Sequence, residues 1–416
     1  MRSAPEIKGW CPGALAPMES GDGLLMRAKI IGSRLTLRQL REIAAIATDC
    51  GNGLIDLSQR AQLQMRGVSP ATSHEAQQRL KAIGLLAADA AAESVMNVMA
   101  SPIRGRDIDA NEIASQLARA IEQDQALRAL PGKFLFLVDD GGPLGLADIE
   151  ADVRLEAKGE EIAILVAGAR DIAVVLPASE AVGAAIALAR AFVSLRAERR
   201  FEWRRMRAVT QALGAPAIFG AAGLEAEAYR TLTTATPIDR ALGAQNAGGA
   251  FFAGVAAPFG RWRAEDMARL AETLGQEGAE ELRPTPWRAM LALTPSAQSA
   301  GRIAEAAQQI GLIVDPKDAR LAVVACPGAP ECPQAHGPTR TDAERLAPLA
   351  ARLGAGAVGL HISGCAKGCA MLSPAPAALL VREGGYDLIF DGRADAKPFA
   401  VNLSLAEVEQ ALAARS

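Results

Sequence analysis

Cys326 and Cys332, followed by Cys365 and Cys369, are four of the six cysteines in a chain of 416 residues. They fall in its last quarter as C-x5-C, a gap of 32 residues, and C-x3-C. The segments that carry them, ACPGAPEC and SGCAKGC, are rich in Gly and Pro and so read as loops. Four thiolates converging from two segments are what a [4Fe–4S] cluster needs, one sulfur per iron. Buried structural thiols, a disulfide pair or a zinc site are the other readings. Structural zinc prefers tighter knuckles than C-x5-C, so the spacing favours iron–sulfur. Cys11, in WCPG, and Cys50, in AIATDCGNG, have no partner motif and read as structural.

The elements that position these cysteines occur twice. Residues 23–68 read as strand, Gly-containing turn, helix and strand, and residues 250–293 have the same outline at an offset of about 228. The longer segments that follow also match. VMASPIRGRD (98–107) sits against VACPGAPEC (324–332), and KFLFLVDDGG (133–142) against VGLHISGCAK (358–367). An offset of 225 places Ser101 opposite Cys326 and Asp140 opposite Cys365, so the first copy lacks the thiolates. Four units follow: 1–75, 76–215, 216–300 and 301–416. Thr72 and Glu75 are spaced as a capping box, which puts His74 on an exposed first turn.

Composition narrows the function. Half the residues are hydrophobic, 22% are charged, and the net charge is −3, so no basic field recruits nucleic acid. The run RRFEWRRMR (199–207) reads as a solvated helix face. The N-terminal segment has no apolar signal core, and the apolar stretch Ala181 to Val193 is too short to span a bilayer. These features, with few cysteines, point to a cytoplasmic protein away from membranes. Gly354, Gly356 and Gly359 spell G-x-G-x-x-G but follow a helical pattern and precede a strand, the reverse of a dinucleotide fingerprint. With no nicotinamide or flavin site in view, electrons are expected from an external donor.

The cysteine pattern, the duplication and the SGCAKGC turn together resemble the sirohaem sulfite and nitrite reductase superfamily over essentially the whole chain. Within it the chain is similar to the precorrin-3B synthases, on WCPGALAPMESGDGLLMR (10–27), LRPTPWR (282–288), ACPGAPECPQA (325–335) and HISGCAKGCAML (361–372). The resemblance implies an α+β fold in which two ferredoxin-like half-repeats pair with two larger α/β units around a pseudo-two-fold axis. Residues 1–75 would be the first half-repeat and 76–215 the unit without cluster ligands. Residues 216–300 would be a linker and the second half-repeat, and 301–416 the unit that binds the cluster. It implies oxygen-dependent hydroxylation of precorrin-3A with lactone formation, using the cluster and a mononuclear non-haem iron. The alternative is a sirohaem-dependent sulfite or nitrite reductase. Lys367, where those reductases usually carry Asn, argues against it.

A polycarboxylated tetrapyrrole needs cations, and arginine suits carboxylates best. Arg27 and Lys29 are two apart on a strand and share a face, as do Arg60 and Arg66 six apart. Arg104, Arg106, Lys133 and Arg288 complete the candidate set, and for these four an ordinary solvent-facing place is the reading that leads. For mononuclear iron, His336 and His361 are the imidazoles beside the cysteine motifs, with Asp139 and Asp140 as possible carboxylate partners. No catalytic residue is identified.

Overall fold

The computed structural model describes residues 10–105, 107–199, 202–231 and 233–415. The chain opens with β1 (Met18–Ser20), β2 (Gly23–Arg27), β3 (Leu35–Thr36), α1 (Leu37–Asp49), β4 (Leu54–Leu57) and β5 (Leu63–Val68). Next come α2 (Ser73–Ala82), α3 (Ala90–Val95), β6 (Val98–Ala100), α4 (Ala110–Gln123), β7 (Phe136–Asp139), β8 (Val153–Lys158), β9 (Glu161–Val166) and β10 (Ala169–Pro177). α5 (Ala181–Glu198), α6 (Met206–Leu213), α7 (Ala215–Ala221) and β11 (Glu227–Ala228) close that stretch. The first outline then recurs as β12 (Gly243–Ala247), β13 (Ala250–Ala256), β14 (Arg261–Arg263), α8 (Ala264–Gln276), β15 (Glu281–Pro284) and β16 (Ala289–Thr294). After α9 (Ala297–Gln309) the second outline recurs as β17 (Val323–Ala325), α10 (Arg340–Gly354), β18 (Leu360–Ser363), β19 (Ala375–Arg382), β20 (Gly385–Gly392), β21 (Ala400–Leu403) and α11 (Leu405–Arg415).

The sheets show the duplication directly. Two antiparallel sheets have the orders β1-β2-β5-β4-β14 and β12-β13-β16-β15-β3. Each takes its last strand from the other copy. The two larger sheets also match: β6-β7-β8 and β17-β18-β19 are parallel runs, and β9-β10 and β20-β21 continue them antiparallel.

Local sequence explains the elements that matter. α1 buries Leu37, Leu40, Ile43, Ala44, Ile46 and Ala47, the spacing of one helical face. Its N-terminus is closed by a complete capping box between Thr36 and Gln39. That face meets residues of the second copy, including Trp262, Met267 and Leu274, in a single core shared by the two half-repeats. α5 is the one helix among the described residues long and apolar enough to cross a membrane. It buries Ala185, Leu188, Ala189 and Phe192 in the core of the first large unit, where Phe192 lies 4.9 Å from Phe134 between ring centroids.

Two local expectations are corrected. The Thr72–Glu75 capping box does not form, because the Thr72 hydroxyl donates to the Cys50 carbonyl at 2.7 Å. The run at 199–207 is not one continuous helix face among its described residues: α5 ends at Glu198, and Arg205, extended before α6, reaches Asp152 at 3.0 Å. Cys50 is the buried C-cap of α1, a structural place.

Candidate cluster site and cationic cleft

β17 and β18 are parallel neighbours, so the loops that leave their C-terminal ends open on the same side of the sheet. One loop carries Cys326 and Cys332 and the other Cys365 and Cys369. That adjacency is why two segments distant in sequence meet. Cys326 continues the ladder, its N–H donating to Ile362 at 3.2 Å, and its sulfur accepts the Gly364 N–H at 3.2 Å. Gly364 must be glycine, since a Cβ there would lie 2.6 Å from the Ala335 Cβ. The His336 N–H donates to the Gly364 carbonyl at 3.0 Å, tying the two loops together.

All four are free thiols, from buried Cys326 to exposed Cys369. Burial pushes Cys365 and Cys369 up, and the neighbouring thiols Cys326 and Cys332 push them further. Four sulfurs within electrostatic reach of one another, one already accepting a backbone N–H, are a donor set that fits a [4Fe–4S] cluster. Among the described residues no three His, Cys, Asp or Glu side chains converge tightly enough to hold a single metal ion.

That finding bears on the mononuclear iron. His361 is fully buried on β18, neither ring nitrogen meets a partner among the described residues, and burial lowers its pKa to about 4. His336 stands 4.0 Å from Glu383. Asp139 and Asp140 are consumed in folding their own loop. Asp139 accepts from Ser101 at 3.0 Å and from the Leu146 N–H at 2.8 Å, and Asp140 accepts from the Gly142 N–H at 3.1 Å. These four residues do not assemble an iron site, and no step below is derived through one.

The cationic candidates divide into two groups. Arg27 and Lys29 are buried side by side. Arg27 donates to Gln64 at 2.7 Å and touches the Cys11 thiol, while the Lys29 amine donates to Asn97 at 3.2 Å. Burial lowers the Lys29 pKa to about 7, helped by Arg27 and Arg60. Arg60 donates one Nη to the Lys133 carbonyl at 2.8 Å, and its buried Nη1 meets no partner among the described residues. Lys133 contributes that carbonyl while its side chain is exposed. Arg104 is exposed, 3.9 Å from Asp109, and Arg106 lies outside the described residues.

The second group surrounds Asp56 and joins both copies to the cysteine loop. Asp56 accepts from Arg66 at 3.3 Å, Arg261 at 3.0 Å and Arg340 at 3.0 Å. Arg66 also takes Asp22 at 2.9 Å and the Glu331 carbonyl at 3.1 Å, so its donors are already committed. The Glu331 carboxylate, one residue before Cys332, accepts from Arg261 at 2.5 Å. Gly21 presses on the same loop: a Cβ there would sit 1.9 Å from the Pro330 oxygen. Arg288 lies half-buried beside this group, lowered by burial and raised by Asp56. Asp56, Arg261, Glu331 and Arg340 escaped the sequence reading. The one available signal was Glu331's place inside the cysteine motif.

A separate cavity of about 280 Å³, lined by Asp148, Arg154, Arg170 and Arg207, lies on the first large unit and shares no residue with either group.

Comparisons with known proteins agree with this architecture. Residues 16–83 match the Nitrite/Sulfite reductase ferredoxin-like half domain. A precorrin-3B synthase of Sinorhizobium sp. is 30% identical over 402 residues, covering 94% of this chain and 85% of that protein. Sulfite reductase [ferredoxin] 1 of Mycolicibacterium paratuberculosis is 22% identical over 396 residues, 84% of this chain and 68% of its own. The solved structure of the Mycobacterium tuberculosis NirA protein superposes with a TM-score of 0.69 at 20% identity, covering 93% of this chain and 79% of its own. By fold and by sequence the chain belongs to the precorrin-3B synthase family, within the nitrite and sulfite reductase superfamily and with its duplicated α+β architecture.

Proposed function

We propose that this protein hydroxylates precorrin-3A with molecular oxygen and closes a lactone to give precorrin-3B, a step of cobalamin biosynthesis in the cytoplasm. The observation that carries this reading is the buried pair Arg27 and Lys29 with half-buried Arg60 beside them. Holding these basic groups together away from water costs free energy unless an anionic partner arrives. A macrocycle edged with carboxylates is such a partner, and family membership favours it over a small inorganic anion.

A [4Fe–4S] cluster held by Cys326, Cys332, Cys365 and Cys369 would supply electrons singly, received from an external donor. The chain's own side chains bind and orient. Arg27, fixed by Gln64, presents a planar donor face. Arg60 Nη1 has a donor to give. Lys29 Nζ, with its pKa near neutrality, takes up a proton as a carboxylate approaches and so strengthens the contact. Arg66 holds the cysteine loop and leaves carboxylate binding to the other three.

The test is a visible spectrum of anaerobically purified protein with pigment extraction and counts of iron and sulfide, followed by turnover of precorrin-3A under oxygen. Broad cluster absorption, no extractable sirohaem and oxygen-dependent product support the reading. Extractable sirohaem with sulfite or nitrite reduction would replace it with the reductase alternative.

A further inference from the structure

The half-repeats are equivalent at a fixed register. Trp262 lies opposite Ile55 in one sheet and Leu35 opposite Leu282 in the other, so positions 227 apart correspond (35 with 262, 55 with 282). One residue along, Asp56 corresponds to Arg283 and Arg261 to Arg34. On the cysteine-bearing side this junction is the Asp56–Arg261 pair, neutralised further by Glu331. On the other side both positions are arginine. Like charges facing each other on adjacent strands destabilise a sheet unless something neutralises them.

Glu281 does part of that work. Its carboxylate pairs with Arg34 at 2.5 Å and with Arg283 Nη2. One carboxylate between two guanidinium groups leaves a positive charge over. Arg283 is only 8% exposed, and its Nε and Nη1 are buried with no hydrogen-bond partner among the described residues. Burial depresses its pKa, and the facing Arg34 depresses it further against the pull of Glu281 and Asp109. Opposite residues of an antiparallel pair share a face, so Arg283 and Glu281 lie on the side of the sheet that carries Arg34 and Thr36. Arg34 and Thr36 line a cavity of about 210 Å³ with Gln39 and Leu85, and Arg283 and Glu281 lie behind them, outside its lining.

We propose that the junction between the half-repeats on the side lacking thiols is an oxyanion site. A phosphate or carboxylate group would accept from the Arg283 donors that Glu281 leaves open, with Arg34 at the mouth. The requirement is chemical: a buried guanidinium with orphaned donors is costly, whereas a bound oxyanion supplies charge and acceptors together. This site is distinct from the set Arg27, Lys29 and Arg60, and it stands whether or not the macrocycle assignment does.

The experiment uses the full chain in low-salt zwitterionic buffer, with thermal unfolding and calorimetry against inorganic phosphate and, separately, succinate. The expected result is a saturable rise in unfolding temperature in at least one arm, and the responding arm identifies the oxyanion. Arg283→Met should lose that component while unfolding no lower than the parent in anion-free buffer. Glu281→Gln, which frees Nη2, should bind several-fold tighter, and the exposed Arg34→Ala several-fold weaker. Should Arg283→Met fail to fold, the opposite shifts of Glu281→Gln and Arg34→Ala decide the matter. An Arg283→Met protein less stable without anion yet equally responsive to it would overturn the site, as would a parent indifferent to both anions.

Discussion

Asp56→Ala should be among the most damaging single substitutions outside the hydrophobic cores. The carboxylate is 6% exposed and accepts four hydrogen bonds from three arginines. After its removal Arg66 keeps Asp22 and Arg261 keeps Glu331. Arg340 loses its ion-pair partner, and its Nε is already without a partner among the described residues. Removing one partner of a buried ion pair costs roughly 3–5 kcal/mol, much of it the uncompensated charge left behind. Arg340→Met in the same protein relieves that charge, so the double variant should lose about 1.5–3 kcal/mol less than the sum of the singles. Urea unfolding followed by tryptophan fluorescence is the assay, because Trp262 is buried next to Arg261. Burial alone would raise the Asp56 pKa, but Arg340, Arg261 and Arg66 outweigh it and hold the carboxyl far below the usual range. Its contribution is therefore constant from pH 8 to 5 and fades only as pH falls below the unfolded carboxylate value near 3.8. A loss under about 1 kcal/mol, or strict additivity with Arg340→Met, would refute the reasoning.

Three further outcomes follow from the same geometry. The native Lys29 amine binds its proton only below about pH 7, against 10.5 for the free amine, so it withdraws stability as pH falls across that window. Lys29→Met should flatten that slope in pH-dependent unfolding. Polycarboxylate binding to the parent should tighten toward pH 6 with net proton uptake, and calorimetry in buffers of different ionisation enthalpy would expose its absence. Gly21→Ala drives a methyl into the Pro330 carbonyl, at a cost of about 1–3 kcal/mol and with a lower iron content, read by metal analysis. Thr36→Ala opens the α1 capping box and should cost about 1 kcal/mol, measured by urea titration; an unchanged midpoint would show that the cap is not load-sharing.

The duplication, the strand–helix–strand outlines and the cysteine pattern were legible because each leaves a periodic or spaced signal along the chain. The exchange of β3 and β14 was not, because strands of two and three residues carry too little pattern to name their neighbour. The burial of Arg27 and Lys29 was also invisible. Alternation assigned them a shared face, but it could not say whether that face met solvent or the Asn97 side chain. Asp139 and Asp140 misled for a similar reason. Paired carboxylates in a glycine-rich turn resemble metal ligands, and only the three-dimensional positions of Ser101, Gly142 and Leu146 show their oxygens already used. The Asp56 network spans residues 22 to 340, and no local window contains it.

The traded edge strands have a consequence for how such a chain could arise. A fragment ending near residue 240 would keep β4 with an open edge, and its β3 would have no sheet to join. Open edges recruit other strands. Two identical fragments would satisfy each other by swapping β3, which makes a closed two-fold dimer. The 416-residue chain has the topology of that domain-swapped dimer with a covalent tether. Once tethered, the halves no longer had to be identical, and two equal pairs of loops could become one carrying thiols and one closed on itself by Asp139 and Asp140.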